Sequence, residues 1–133
     1  MLTAAGVAKV LDFGLAKSDV PPAAGLDAGG GKAVIARDVE RALSGVDVLV
    51  SPALAVPAPP IGAPTVSVKG GAEAVRTIML RCTQPFNLSG HPAIALPCGR
   101  TASGLPISIQ MTGHKGRTPG LVQAALAVEA AIA

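Results

Sequence analysis

Residues 92–111 constrain this chain more tightly than any other stretch. Leu105, Ile107, Ile109 and Met111 alternate with Pro106, Ser108 and Gln110. A period of two sustained over that length is the pattern of a β-strand with one apolar face. Upstream, Pro92-Ala93-Ile94-Ala95-Leu96-Pro97-Cys98 forms a second short apolar run, and Gly99 and Gly104 frame the intervening "GRTASG" as a hairpin-like turn. The two runs are expected to lie side by side as antiparallel strands.

Around this pair the other segments fall into place by period and punctuation. "KAVIARDVERALSG" reads as a helix with Ile35, Val39 and Leu43 on one face, Arg37 and Arg41 on the other, and Gly45 suited to a left-handed stop. "VDVLVSP" is a short buried strand closed by Pro52, and "AEAVRTIMLRCT" resumes helical spacing through Val75, Ile78, Met79 and Cys82. Thr118 caps a last helix with Pro119 in its first turn, and Leu121, Ala125, Val128 and Ile132 form its buried stripe. Residues 18–32 have the proline and glycine density of a loop, and "ALAVPAPPIGAPTVSVKGG" reads as an irregular, packed crossing segment. Residues 1–17 show no clean period, which leaves helix and strand both open there. The expected fold class is α/β: a few strands of a mixed sheet, an antiparallel pair near the C-terminus, and helices packed against them. Residues 1–32 are taken as an irregular N-terminal segment and 33–133 as the folded part.

The composition narrows the function. Of 133 residues, 50% are apolar and 14% charged, whereas an average soluble domain is about 25% charged. A small globule has too much surface to hide that much apolar matter, so the composition suits the interior of something larger, either a longer chain or an oligomer. Phe13 and Phe86 are the only aromatics and the net charge of +3 is unclustered. Without base-stacking rings or a basic run, no nucleic-acid partner is expected. No apolar run reaches the ~18 residues of a membrane span, and Gly6, Lys9 and Asp12 interrupt any leader-like core. No membrane partner is expected, and the expected location is the cytoplasm. There Cys82 and Cys98, which lack metal spacing or a C-x-x-C pair, read as inert core thiols.

Several motifs dissolve on inspection. "DAGGGKA" hints at a phosphate loop, but Leu26 stands where its first glycine belongs and Ala33 where its hydroxyl belongs. A flexible turn is the better reading. His91 and His114 have no carboxylate, thiol or second imidazole at ligand spacing, so packing or surface placement is expected. Asp38 and Glu40 sit beside Arg37 and Arg41 as a solvated helix face. No metal or cofactor is implied.

One ordered set of segments does not dissolve. "VDVLVSPALAVPAPPIGAP", "TQPFNLSGHPAIALPCG" and "GLPISIQMTG", followed by a helix ending "AVEAAIA", resemble the C-terminal part of the amidase signature family across roughly residues 34–133. The most specific residues are Thr83-Gln84-Pro85-Phe86-Asn87-Leu88-Ser89-Gly90, then Pro92-Ala93 and Leu96-Pro97-Cys98-Gly99. That family includes general amidases and one of the subunits of tRNA-dependent amidotransferases. There are departures: Ala53 where the family usually has Thr, "HKGRTPG" where an aromatic and an acidic residue often follow, and Leu80 where the amidotransferase branch commonly has an acid. The last favours the general amidase branch.

The resemblance implies amide hydrolysis by a Ser nucleophile, a second Ser and a Lys, the Ser residues set in a Gly/Ser-rich tract whose backbone N–H groups make the oxyanion hole and the Lys upstream of it. That tract is absent here. Ser18, Ser44, Ser51, Ser67, Ser89, Ser103 and Ser108 are scattered, and Lys9, Lys17, Lys32, Lys69 and Lys115 have no identifiable Ser partner. No catalytic, cofactor or metal residue is therefore assigned. The expectation is an amidase fragment, inactive alone, whose partner is the missing N-terminal amidase portion or a second copy of itself. The alternative is a non-catalytic, self-associating interaction module.

A further resemblance sits at the N-terminus. "GVAKVLDFGLAKS" is similar to the magnesium-holding segment of protein kinases, with Asp12-Phe13-Gly14 as its triplet. No H-R-D loop, A-P-E segment, glycine-rich loop or strand Lys accompanies it, and kinase-derived nucleotide binding is not expected.

Overall fold

The computed structural model describes residues 8–10 and 28–132. The Asp12-Phe13-Gly14 triplet lies outside them. The framework is a four-stranded sheet, ordered β1-β2-β6-β5, beside a separate two-stranded one, β3-β4. Strands β1 (Ala8–Val10) and β2 (Val48–Pro52) run parallel, with Val10 beside Val50. Strand β6 (Pro106–Gly113) is antiparallel to both β2 and β5 (Ala93–Arg100), as the alternating pattern predicts.

The sheet has two covered faces because β6 is apolar on one and hydrogen-bonding on the other. Val48, Val50, Ile94, Leu96, Ile109 and Met111 share the first face by register. They pack under Leu121, Ala125 and Val128 of α4 (Thr118–Ile132). Ile132 does not complete the buried stripe: it is 43% exposed, and the helix carries it past the Leu121–Ala125–Val128 cluster. Leu49 points to the second face, where it meets Val39 and Leu43 of α1 (Ala28–Leu43) and Phe86 of α3 (Gln84–Ser89). Ser51, Gln110 and Thr112, also on that face by register, are buried.

Strand alternation decides which backbone groups lack a strand partner among the described residues. Gly113 N–H donates to Pro92 O at 3.0 Å, and Ala53 N–H to Ser108 O at 3.0 Å. With the observed register, odd residues of β6 bond β5 and even residues bond β2. Ala93, Ala95 and Pro97 therefore turn their backbone groups toward the outer side of β5. Pro97 costs the β5–β6 ladder nothing because its missing N–H faces away from β6. Past it a register shift between Pro97 and Gly99 bends the strand, and Gly99 has φ +152°. The turn beyond is tied by Thr101 N–H to Leu105 O at 2.8 Å and by Leu105 N–H to Thr101 Oγ1 at 3.0 Å.

Three local expectations need correction, and one helix was not expected at all. Helix α1 starts at Ala28, so Gly29, Gly30 and Gly31, expected in a flexible turn, form its first turn. Helical glycine is unfavourable by roughly 1 kcal/mol each, but the Ile35–Val39–Leu43 stripe docks the helix regardless. The crossing segment is not wholly irregular: β3 (Thr65–Val68) and β4 (Gly71–Ala74) form a hairpin through Lys69 and Gly70, the latter at φ +105°. Helix α2 (Val75–Leu80) is consequently shorter than its spacing suggested, since Ala72–Ala74 pair with β3. Helix α3 was hidden because six residues are too few to show a period. Its punctuation is nevertheless ordinary, with Pro85 in the first turn and Gly90 left-handed at the end.

Candidate functional site

Two places concentrate chemistry, and they lie on opposite faces of the main sheet. The first is a groove of about 370 Å³ on the α4 face, where the sheet runs beyond that helix. Pro52 ends β2 there, Leu54 and Val56 follow it, and Cys98, Ile107 and Ile109 come from the β5–β6 hairpin. Among the described residues the lining contains no charged side chain. Leu54 and Ile107 are exposed, so the apolar side of β6 is covered at its Met111 end and bare at its start.

Cys98 belongs to this bare end. It was expected in the core, but it is exposed, because the bulge after Pro97 and the end of α4 cover leave it open. Its Sγ contacts Ile107 O at 3.7 Å. Cys82 does meet the expectation: it is buried, and burial raises its thiol pKa above the ordinary value. Its carbonyl accepts a bond from buried Gln110 Nε2 at 3.2 Å, which ties the α2–α3 connection to the middle of β6.

The second place is the corner between α3 and β5. His91 Nδ1 lies 2.9 Å from Ser89 Oγ, and that hydroxyl also donates to Phe86 O at 3.2 Å. Both side chains are buried, Ser89 at 5% and His91 at 6% exposure. A Ser–His contact is the beginning of a nucleophile–base arrangement, but among the described residues His91 Nε2 has no hydrogen-bond partner and so no orienting acid. Burial lowers the His91 pKa, with Lys115 and His114 adding to the effect and Glu40 opposing it. His114 is packed as expected, with its Nε2 at 2.9 Å from Val46 O.

Among the described residues the remaining hydroxyls and amines do not converge; Ser18, Lys17 and the Lys9 side chain lie outside those described. Ser44, Ser67 and Ser103 are exposed, Ser108 is half-buried, and Ser51 is buried in β2. Lys32 and Lys69 are exposed, and Lys115 pairs with Glu40 at 3.4 Å. Arg41 and Asp38 form the expected solvated pair at 3.4 Å, and Arg81 binds Glu73 between α2 and β4. Among the described residues no three of His, Cys, Asp and Glu gather as a metal site. No helix there is long and apolar enough to cross a membrane.

The family model for amidases matches residues 26–122. The chain belongs to the amidase family. A glutamyl-tRNA(Gln) amidotransferase subunit from Trichormus variabilis is 38% identical over 102 residues, which are 74% of this chain and 19% of that protein. Among solved structures, an amidase superimposes with a TM-score of 0.72 at 30% identity, covering 77% of this chain and 23% of the other. A 6-aminohexanoate cyclic dimer hydrolase does so with a TM-score of 0.66 at 34% identity, covering 76% and 23%. The chain thus spans about a fifth of the length of these amidase relatives. The superpositions bear out the α/β fold expected from the resemblance.

Proposed function

We propose that this chain is a structural part of an amide-hydrolysing fold that does not hydrolyse amides by itself. The observation that carries the reading is the state of its Ser–His contact. Ser89 and His91 are buried, the Ser89 hydroxyl also lies on Phe86 O, and among the described residues His91 Nε2 has no hydrogen-bond partner. A nucleophile must reach its substrate, and its base must take the proton away. The groove offers apolar contact and one thiol in place of such a pair. The absence of a Gly/Ser-rich tract from the sequence supports the same reading.

On this reading the bare groove and the outer side of β5 are where the rest of an amidase fold would pack. The parent activity belongs to the general amidase branch, with Leu80 in place of an acid as its support. The test is turnover of simple aliphatic and aryl amides by the purified chain, alone and mixed with the separately produced N-terminal portion of a related amidase. No turnover alone and measurable turnover in the mixture is the expected result. Hydrolysis by the chain alone, lost in Ser89→Ala, would overturn the proposal.

A second reading has its own observation. Val122 and Leu126 form an exposed apolar ridge on α4, Leu126 at 59% exposure, on the helix that flanks the groove region. A ridge and a groove on one molecule favour association between copies. Sedimentation at micromolar concentration separates the two readings: a self-associating module gives a defined oligomer without any added portion.

A further inference from the structure

Just past the groove the chain makes a tight turn. Pro57 is the last groove residue of the crossing segment, and Pro60 to Ala63 follow it as a turn closed by Ala63 N–H on Pro60 O at 3.1 Å. Gly62 takes the third position at φ 79°, a left-handed conformation that glycine adopts without strain. Ile61 therefore stands at the tip, fully exposed, whereas the other large apolar side chains at the described surface are 38–59% exposed. The tip is also stiff. Pro57, Pro59, Pro60 and Pro64 each fix a backbone angle, and Val75 N–H holds Pro64 O at 3.1 Å on the far side.

A stiff apolar tip and an uncharged apolar groove match in chemistry, and they lie close together. Ile61 follows the groove residue Pro57 by four positions, a reach of no more than about 14 Å. It does not fill its own groove, since it is fully exposed. A knob and a hole in one patch are the condition for a two-fold interface, in which each copy gives what it receives. The ridge of Val122 and Leu126 is already partly covered and belongs to a helix surface, so it is the poorer knob. The prolines lower the ordering cost of docking, because the tip holds its shape beforehand.

We propose that a second copy of this chain occupies the groove: its Ile61 tip enters between Leu54, Val56, Cys98 and Ile107, and the first copy's tip enters the second groove in return. The inference rests on the self-association reading and names its contact. Docking strips water from no charge, because the described lining has none and the turn is Pro60-Ile61-Gly62-Ala63. In the chain on its own, the second copy supplies the cover that the rest of an amidase fold would otherwise give.

Sedimentation of the full chain at micromolar concentration should show a dimer that Ile61→Ser weakens. Burying an isoleucine shifts an equilibrium by at least about tenfold, so losing two tips should weaken the dimer about a hundredfold. Fully exposed Ile61 has no packing to lose, so the variant should keep its unfolding midpoint. Ile61→Cys then reports where the tip sits. Under a mild disulfide reagent its thiol should bridge to Cys98 of the second copy, which requires a Cα separation below about 7 Å. Cys98→Ser should remove that bridge, and peptide mapping of mixed isotopically light and heavy chains should show it joining two copies. A monomeric unaltered chain overturns this inference together with the self-association reading. An oligomer indifferent to Ile61→Ser, a bridge within one copy, or bridges only from tip to tip overturn this inference alone.

Discussion

A side chain on Gly113 would place its Cβ 3.1 Å from Leu121 Cβ. Gly113 closes β6 and Leu121 is the first buried residue of α4, so the strand and its returning helix touch there without room for a methyl group. Leu121 Cβ is fixed by the helix backbone and cannot swing aside. Gly113→Ala should therefore destabilise by about 1–3 kcal/mol through overpacking. Gly120, one residue away in the helix, has nothing within 4 Å of its Cβ position. Gly120→Ala should stabilise by about 0.4–1 kcal/mol through helix propensity and a less free unfolded chain. Paired denaturant titrations read both, and equal effects of the two substitutions would refute the close-approach argument.

Phe86 is the anchor of the second face. It is 2% exposed and packs with Val39, Leu43 and Leu49. Phe86→Ala is expected to lose about 3–5 kcal/mol, and Phe86→Leu distinctly less. The midpoint of urea unfolding measures each. A loss under about 1 kcal/mol in the alanine variant would mean that α3 does not contribute to the core.

Gln110 ties two elements by one bond, its Nε2 to Cys82 O at 3.2 Å in a buried site. Replacing it with Leu keeps the volume near and leaves the carbonyl unpaired, which costs about 1–3 kcal/mol. The expected local signature is faster exchange of the residue 80–84 amides relative to β6. Uniform destabilisation without that bias would place the role of Gln110 elsewhere.

The two thiols should part under native conditions. Cys98 is exposed, while Cys82 is buried with its pKa raised. A disulfide reagent should modify Cys98 promptly and Cys82 only at the rate of unfolding, because the thiolate is the reacting form. Cys98→Ser should abolish the fast phase. Two equally fast thiols would contradict the packing of the α2–α3 connection.

The sequence showed most where a period could run and least where pairing depended on distant partners. Leu105 through Met111 disclosed β6, and the Gly-framed turn disclosed its partner, because alternation is a local property. The Thr65–Ala74 hairpin was legible in Thr65-Val66-Ser67-Val68 and Gly70-Gly71, yet the prolines before it masked the signal. Cys98 shows another limit. Its neighbours are apolar, but burial depends on how far α4 reaches, and no local pattern encodes that. The Ser89–His91 contact could have been suspected from the spacing of two polar residues around Gly90. Its seclusion from solvent depends on the packing around that corner. Of the candidate site as a whole, the sequence assigned no residue, and the groove and the Ser89–His91 contact came from the structure.

Pro97 has a consequence for crowded conditions. An incoming strand laid along the outer side of β5 finds donors at Ala93 and Ala95, then meets a ring in place of the next N–H, and beyond it the kink at Gly99. Such a visitor gains a short ladder and no continuation. Copies meeting along this strand would stop at brief encounters and could not stack indefinitely into a fibre, so the residue acts as a chain terminator for cross-β growth along that edge of the sheet.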